Sequence, residues 1–161
     1  MANNTMLDQY LYRFQNLPSW NIYAVLPNGE EAVPWMEVTG EAIAKELIFD
    51  ELNVMPQVDT VAANVQKWGR LESQAKRVWD IAARDLLRWK SEFMLNIYDS
   101  DEKTPAKHII ESKYRTHKDY HRLNIEVERA EEAYSATHMV LEAFRAKKDI
   151  ITRFAKRYRD G

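Results

Sequence analysis

From Val61 onward, apolar residues recur in alternating steps of four and three: Val61, Val65, Trp68, Ala75, Trp79, Ala82, Leu86, Trp89 and Phe93, with Glu72 as the one polar interruption. Such steps put side chains on one face of an α-helix. With Asp59 or Thr60 as N-cap, the spacing predicts a helix of about 38 residues, roughly 57 Å long at 1.5 Å per residue. The segment 99–105 (DSDEKTP) breaks it with acids and a proline. A second stripe starts at Ile109 and runs through Tyr120, Leu123, Val127, Ala130, Tyr134, Leu141, Phe144, Ile151, Ala155 and Tyr158, with Lys113, Thr116, Thr137 and Lys148 in polar slots. Two long amphipathic helices joined by a short loop predict an antiparallel αα-hairpin. Helices of this length leave apolar edges that one hairpin does not cover, which predicts self-association.

Ahead of this region the pattern is shorter in period and punctuated by turns. The five prolines (18, 27, 34, 56 and 105) all lie outside 57–98 and 106–160. Residues 22–36 (IYAVLPNGEEAVPWM) read as a β-hairpin: an apolar run, a Pro-Asn-Gly turn, and a second run in which Pro34 requires an edge position. Thr39 or Gly40 then caps a short helix, 41–52, that stops before Pro56. The fold class expected is an all-α core, with 59–161 as the helical hairpin and 1–58 as a small N-terminal extension.

Charge divides along the same line. Residues 1–60 hold two basic side chains (Arg13, Lys45) and nine acidic ones, whereas 61–161 hold 21 basic and 16 acidic groups. The overall net charge of −2 therefore conceals an acidic segment of −7 and a basic one of +5. Asymmetry of this kind points to a polyanionic partner for the basic part, with nucleic acid the leading candidate. The chain of 161 residues is long enough for one domain with a real core, and too apolar for general disorder. It has no cysteine, which excludes disulfides, thiolate metal sites and cysteine nucleophiles and suits a reducing cytoplasm. The first twelve residues show neither a basic n-region nor an apolar h-region, and no apolar run approaches a membrane span. No signal peptide or membrane partner is expected.

Catalytic patterns are absent. The glycines are isolated, no motif frames a serine nucleophile, and Glu131–Glu132 read as a solvated helix face. His117 and His121 are spaced i, i+4, as a metal pair on one helix face would be, yet no third ligand is suggested. No catalytic residue, metal or cofactor is expected. Basic residues interleaved with aromatics are the stronger signal, since cations meet phosphates and aromatics stack on unpaired bases. They occur at Arg84–Lys90, at Lys107–Arg122 and in the tail Arg145–Arg159, where seven basic groups face the single acid Asp149. Arg84, Arg88, Lys90, Lys107, Lys113, Arg115, Lys118 and Arg122 are the candidate DNA-binding residues. Trp89 falls on the apolar stripe and is expected in the core. The basic tail also suits a helix C-terminus through the macrodipole.

Several of these residues are familiar together. Leu87-Arg88-Trp89-Lys90-Ser91-Glu92-Phe93, the stretch from Lys118-Asp119 through Leu141-Glu142-Ala143-Phe144-Arg145-Ala146-Lys147 to Ile151, and Lys67-Trp68 occur in the order seen in the UvsY family of T-even-type bacteriophage recombination mediators. The helical part resembles that family, well over about 86–155 and more loosely over 41–85. Residues 1–39 have no counterpart in it. Ser91 stands where the family has an apolar residue.

The resemblance implies a non-enzymatic protein of the host-cell cytoplasm. Such a mediator binds single-stranded DNA in recombination and repair, forms a closed homo-oligomer, and helps a RecA-like recombinase displace single-strand-binding protein. It carries Arg88 and Lys90 onto the DNA-binding pair. It carries Leu141, Phe144 and Ile151 onto subunit packing, with Ala155 and Tyr158 on the same stripe. The acidic extension then binds a partner, lies over a basic face, or packs on the hairpin. Two other readings stay open: a helical phage structural or packaging ring subunit, and a protein-only adaptor acting through the acidic N-terminus.

Overall fold

A computed structural model describes residues 5–25, 32–100 and 105–161 of the chain. It is mostly helical: α1 (Thr5–Gln15), strands β1 (Trp20–Val25) and β2 (Ala32–Val38), α2 (Gly40–Leu47), α3 (Val54–Ser100), α4 (Lys107–Arg115) and α5 (Lys118–Asp160). The antiparallel pair α3 and α5 forms the body. The faces in contact are those that the four-three spacing marks: Trp68 stacks on Phe144 at 6.4 Å and Trp79 on Tyr134 at 5.5 Å between ring centroids. Glu72, the polar interruption, meets His138 across the seam at 2.7 Å.

α3 begins earlier than predicted. Asp59 and Thr60 lie inside the helix, and the Thr60 hydroxyl bonds the Pro56 carbonyl at 3.2 Å. The start is instead fixed by a clasp ahead of it. The Asp50 carboxylate accepts from the Leu52 amide (2.9 Å) and the Asn53 side chain (2.7 Å), while the Gln57 amide donates to the Asp50 and Asn53 carbonyls. These donors hold the Asp50 carboxyl below its ordinary pKa, the Asn53 side chain contributing most. Pro56 is tolerated because first-turn amides have no intrahelical acceptor to lose.

The predicted second helix is two helices. Thr116 stays in the helical region, but His117 turns extended (φ −78°, ψ 135°) and its Nδ1 accepts from the Asp119 amide at 3.1 Å, capping α5. The polar slots Lys113 and Thr116 fall in the last turn before this break. Farther along, Thr137 fits the buried stripe because its hydroxyl donates to the Ala133 carbonyl at 2.7 Å and accepts from the Trp20 indole at 3.3 Å.

The N-terminal segment packs on the hairpin and shares its core. One buried cluster contains Leu7 and Phe14 of α1, Trp20 and Ile22 of β1, Ile43 and Leu47 of α2, Trp68 and Leu71 of α3, and Val140, Phe144 and Ile151 of α5. α1 is an element the sequence reading did not include, although Leu7, Tyr10, Leu11 and Phe14 have helical spacing. Its burial explains why 5–25 and 32–47 order against α3 and α5. The strands pair antiparallel as expected but extend to 20–25 and 32–38; the Pro-Asn-Gly turn lies outside the described residues. Ile22 pairs with Met36 and Tyr23 with Pro34, leaving Trp35 as the extra residue of a bulge. That irregularity accommodates a proline with no amide to donate. α2 is capped by Thr39, whose hydroxyl accepts from the Ala42 amide at 3.2 Å, and ends at Leu47, before the predicted 52.

Two glycines give opposite predictions. A Cβ on Gly40 would collide with the Phe14 carbonyl, so Gly40→Ala forces α1 and α2 apart and should cost about 1–3 kcal/mol. Gly69 in mid-α3 has open space around it, and Gly69→Ala should stabilise by about 0.5–1 kcal/mol. Urea unfolding of both variants tests the assignment; equal shifts would contradict it.

Candidate nucleic-acid interface

The far end of the hairpin, away from the shared core, is built on aromatics. Trp89 and Phe93 lie one helical turn apart on α3 and stack at 5.1 Å. Trp89 also meets His117 (5.2 Å) and Tyr120 (6.3 Å), so the capping histidine is wedged against the two α3 rings. α4 closes over this tip with Ile110 fully buried, and Tyr114 reaches Tyr120 at 5.3 Å. Trp89 is half-buried and packs within this tip, outside the buried core in which the apolar stripe placed it.

Lys90 is the cation this arrangement holds most closely. Its Nζ lies over Tyr114 at 5.4 Å and over Tyr120 at 5.6 Å. Contacts of this kind are worth about 0.5–1 kcal/mol near solvent and leave the ammonium hydrogens free to donate. Arg88 has a different outlook. Successive helical residues turn by 100°, so Arg88 and Lys90 flank Trp89 on opposite sides of α3. Arg88 shares the outer face with Arg84, one turn earlier, and with exposed Leu87 and Leu95.

The remaining candidates surround the α4–α5 turn on exposed positions. Lys107 pairs with Glu111 (4.0 Å), Arg122 with Glu126 (3.2 Å) and Arg84 with Asp85 (3.7 Å). Among the described residues Arg88, Lys113, Arg115 and Lys118 have no carboxylate within 4.0 Å. Arg84 and Arg88 thus lie on one side of the Trp89 seam and Lys90 with its tyrosines on the other, while Lys113, Arg115 and Lys118 stand around the α4–α5 turn. Over 84–122 nine basic residues stand against seven acidic ones, so local placement of cations matters more than bulk charge.

Other expected sites fall elsewhere. Leu141, Phe144 and Ile151 are 0–2% exposed within the chain's own core, whereas Ala155 is half-buried and Tyr158 is 68% exposed. Of the expected subunit-packing residues, Tyr158 is therefore the one offered most fully to a neighbour. His117 is the cap of α5 and not a residue within it, and its Nδ1 is engaged by the Asp119 amide. Among the described residues no group of three metal-ligating side chains comes together. In the basic tail Lys147 is withdrawn: it is buried, its Nζ donates to the Glu46 carbonyl at 2.8 Å, and loss of water lowers its pKa against the opposing pull of the Glu46 carboxylate. Among the described residues, no helix is long and apolar enough to cross a membrane. Compared with protein-family models, curated proteins and solved structures, the chain has no match.

The tip makes a local prediction. Trp89→Ala removes the ring on which His117 and Tyr120 rest, so amide exchange across 107–122 should accelerate about tenfold or more while 5–25 and 32–47 stay protected. Lys90→Ala should leave exchange at the tip nearly unchanged. Uniform acceleration throughout the chain in Trp89→Ala would show that the tip is not a separate packing unit.

Proposed function

We propose that this protein is a single-stranded DNA-binding recombination mediator that acts as a homo-oligomer and helps load a RecA-like recombinase onto strands covered by single-strand-binding protein. The observation that carries the reading is the Lys90 ammonium over the Tyr114 and Tyr120 rings, within a segment that resembles the mediator family's DNA-binding stretch. A cation for phosphate beside aromatic faces for unpaired bases is the combination that single-strand binding uses. Duplex DNA offers the phosphates but keeps its bases stacked.

One subunit supplies few contacts: Lys90 on one flank, Arg84 and Arg88 on the other, and Lys113, Arg115 and Lys118 around the turn. An oligomer repeats that set, and linked sites gain avidity without new chemistry. The acidic N-terminal segment uses its apolar side chains to pack on α3 and α5. That placement favours DNA binding through the tip over a protein-only adaptor role for a free acidic arm. Bending a strand across repeated tips would loosen a competing single-strand-binding protein and present bases to the recombinase.

Fluorescence anisotropy tests this with a labelled single-stranded oligonucleotide, a duplex of equal length and a salt series, with mass from light scattering. Binding should prefer the single strand and weaken steeply with salt. Arg88→Ala with Lys90→Ala should reduce the slope of log K against log salt by about 1.4, at roughly 0.7 per lost phosphate contact. Tyr120→Ala should cost about 1–3 kcal/mol of affinity for each base it stacks. Duplex preference would favour the packaging-ring reading, and no binding at low salt would remove DNA altogether.

A further inference from the structure

α5 is polarised in charge along its length. Residues 126–132 hold Glu126, Glu128, Glu131 and Glu132 against Arg129 alone, whereas Arg145–Arg159 hold seven cations against Asp149. The acidic stretch borders a groove of about 630 Å³ between α5 and the α1–β1 connection. Its floor is apolar, with Leu17, Pro18, Trp20 and Met139, and its rim carries Glu128, Glu131 and Glu132. Trp20 is pinned there by its bond to Thr137, so the floor is preformed. The groove continues into a smaller hollow lined by Asn21, Tyr23 and Arg129. Among the described residues neither Glu131 nor Glu132 has a cation within 4.0 Å.

The last turns of α5 have the complementary make-up. Lys156, Arg157 and Arg159 are exposed around Tyr158, an aromatic 68% exposed. A tyrosine ring with cations on both sides matches an apolar floor with carboxylates on its rim. The tail cannot reach its own groove. From Glu132 to Lys156 is 24 residues of continuous helix, or about 36 Å at 1.5 Å per residue.

We propose that the groove receives the C-terminal end of α5 from a second copy of this chain, with Tyr158 on the Trp20 floor and Arg157 and Arg159, each about 100° around the helix from it, facing Glu128, Glu131 and Glu132. This rests on the homo-oligomer of the proposed function and names its contact. The contact is head-to-tail, because groove and tail are different surfaces, so repetition closes a ring or extends a filament. It also gives the N-terminal segment a task, since Leu17, Pro18 and Trp20 form one wall. A single such contact is small and gains strength when closure makes every subunit both donor and receiver.

Charge exchange tests the pairing by sedimentation and light scattering, with circular dichroism confirming the fold. Glu131→Lys with Glu132→Lys, and separately Arg157→Glu with Arg159→Glu, should each raise the concentration for half-assembly about tenfold or more. The chain carrying all four changes should assemble again. A control joins the tail reversal to Glu41→Lys and Glu92→Lys, restoring net charge away from the groove, and should stay dissociated. Assembly that survives both reversals, or is restored equally by the control, would overturn this contact and leave the oligomer standing on another surface. A wild-type chain that is monomeric at all concentrations would overturn both. A monomeric chain that nevertheless binds a labelled peptide of residues 150–161 would assign the groove to a cationic segment of another protein and overturn the self-contact.

Discussion

Trp68 against Phe144, Trp79 against Tyr134, and Trp89 against His117 and Tyr120 tie α3 to α5 at three heights along one antiparallel seam. Each aromatic pair is worth about 0.5–1.5 kcal/mol beyond the area it buries. Position matters as much as energy. The first level belongs to the core shared with α1, the strands and α2, and the last supports the tip. Without that register the groove wall and the Lys90–tyrosine cluster would lose their backing together. Both proposed surfaces depend on this frame.

The long helices were legible because their spacing is regular and their faces are consistently apolar. Their ends were less so. Asp59 and Thr60 are sound capping residues, yet the Asp50–Asn53–Gln57 clasp opens α3 earlier, through side chains scattered over seven positions. The break at His117 was hidden because the apolar period resumes in phase beyond it. α1 was missed for a different reason: its four apolar positions are spaced correctly, but a run of 11 residues is too short for periodicity to stand out among polar neighbours. Burial by α2 and α5 makes that short helix stable, and a one-dimensional pattern does not display such contacts.

The candidate interface was legible as composition but not as geometry. Basic residues among aromatics marked Arg84–Lys90 and Lys107–Arg122 as distinctive stretches. The sequence could not reveal that Trp89 separates Arg88 from Lys90, or that Lys90 meets two tyrosines from different helices. Spacing along the second stripe likewise identified Leu141, Phe144 and Ile151 as apolar without distinguishing internal packing from packing between subunits. The structure places all three inside the chain and leaves Tyr158 outside. The groove was not visible at all, since one wall comes from residues 17–20 and the other from 128–139.

In the proposed function the tip of the hairpin meets single-stranded DNA while the shared core and its acidic elements do not. Amide-exchange footprinting of the intact protein with and without a saturating oligonucleotide tests it most directly. Slower exchange is expected across 88–93 and 107–122, with unchanged exchange over 5–25 and 32–47. Protection confined to the N-terminal elements, or absent from the tip when DNA is bound, would contradict it.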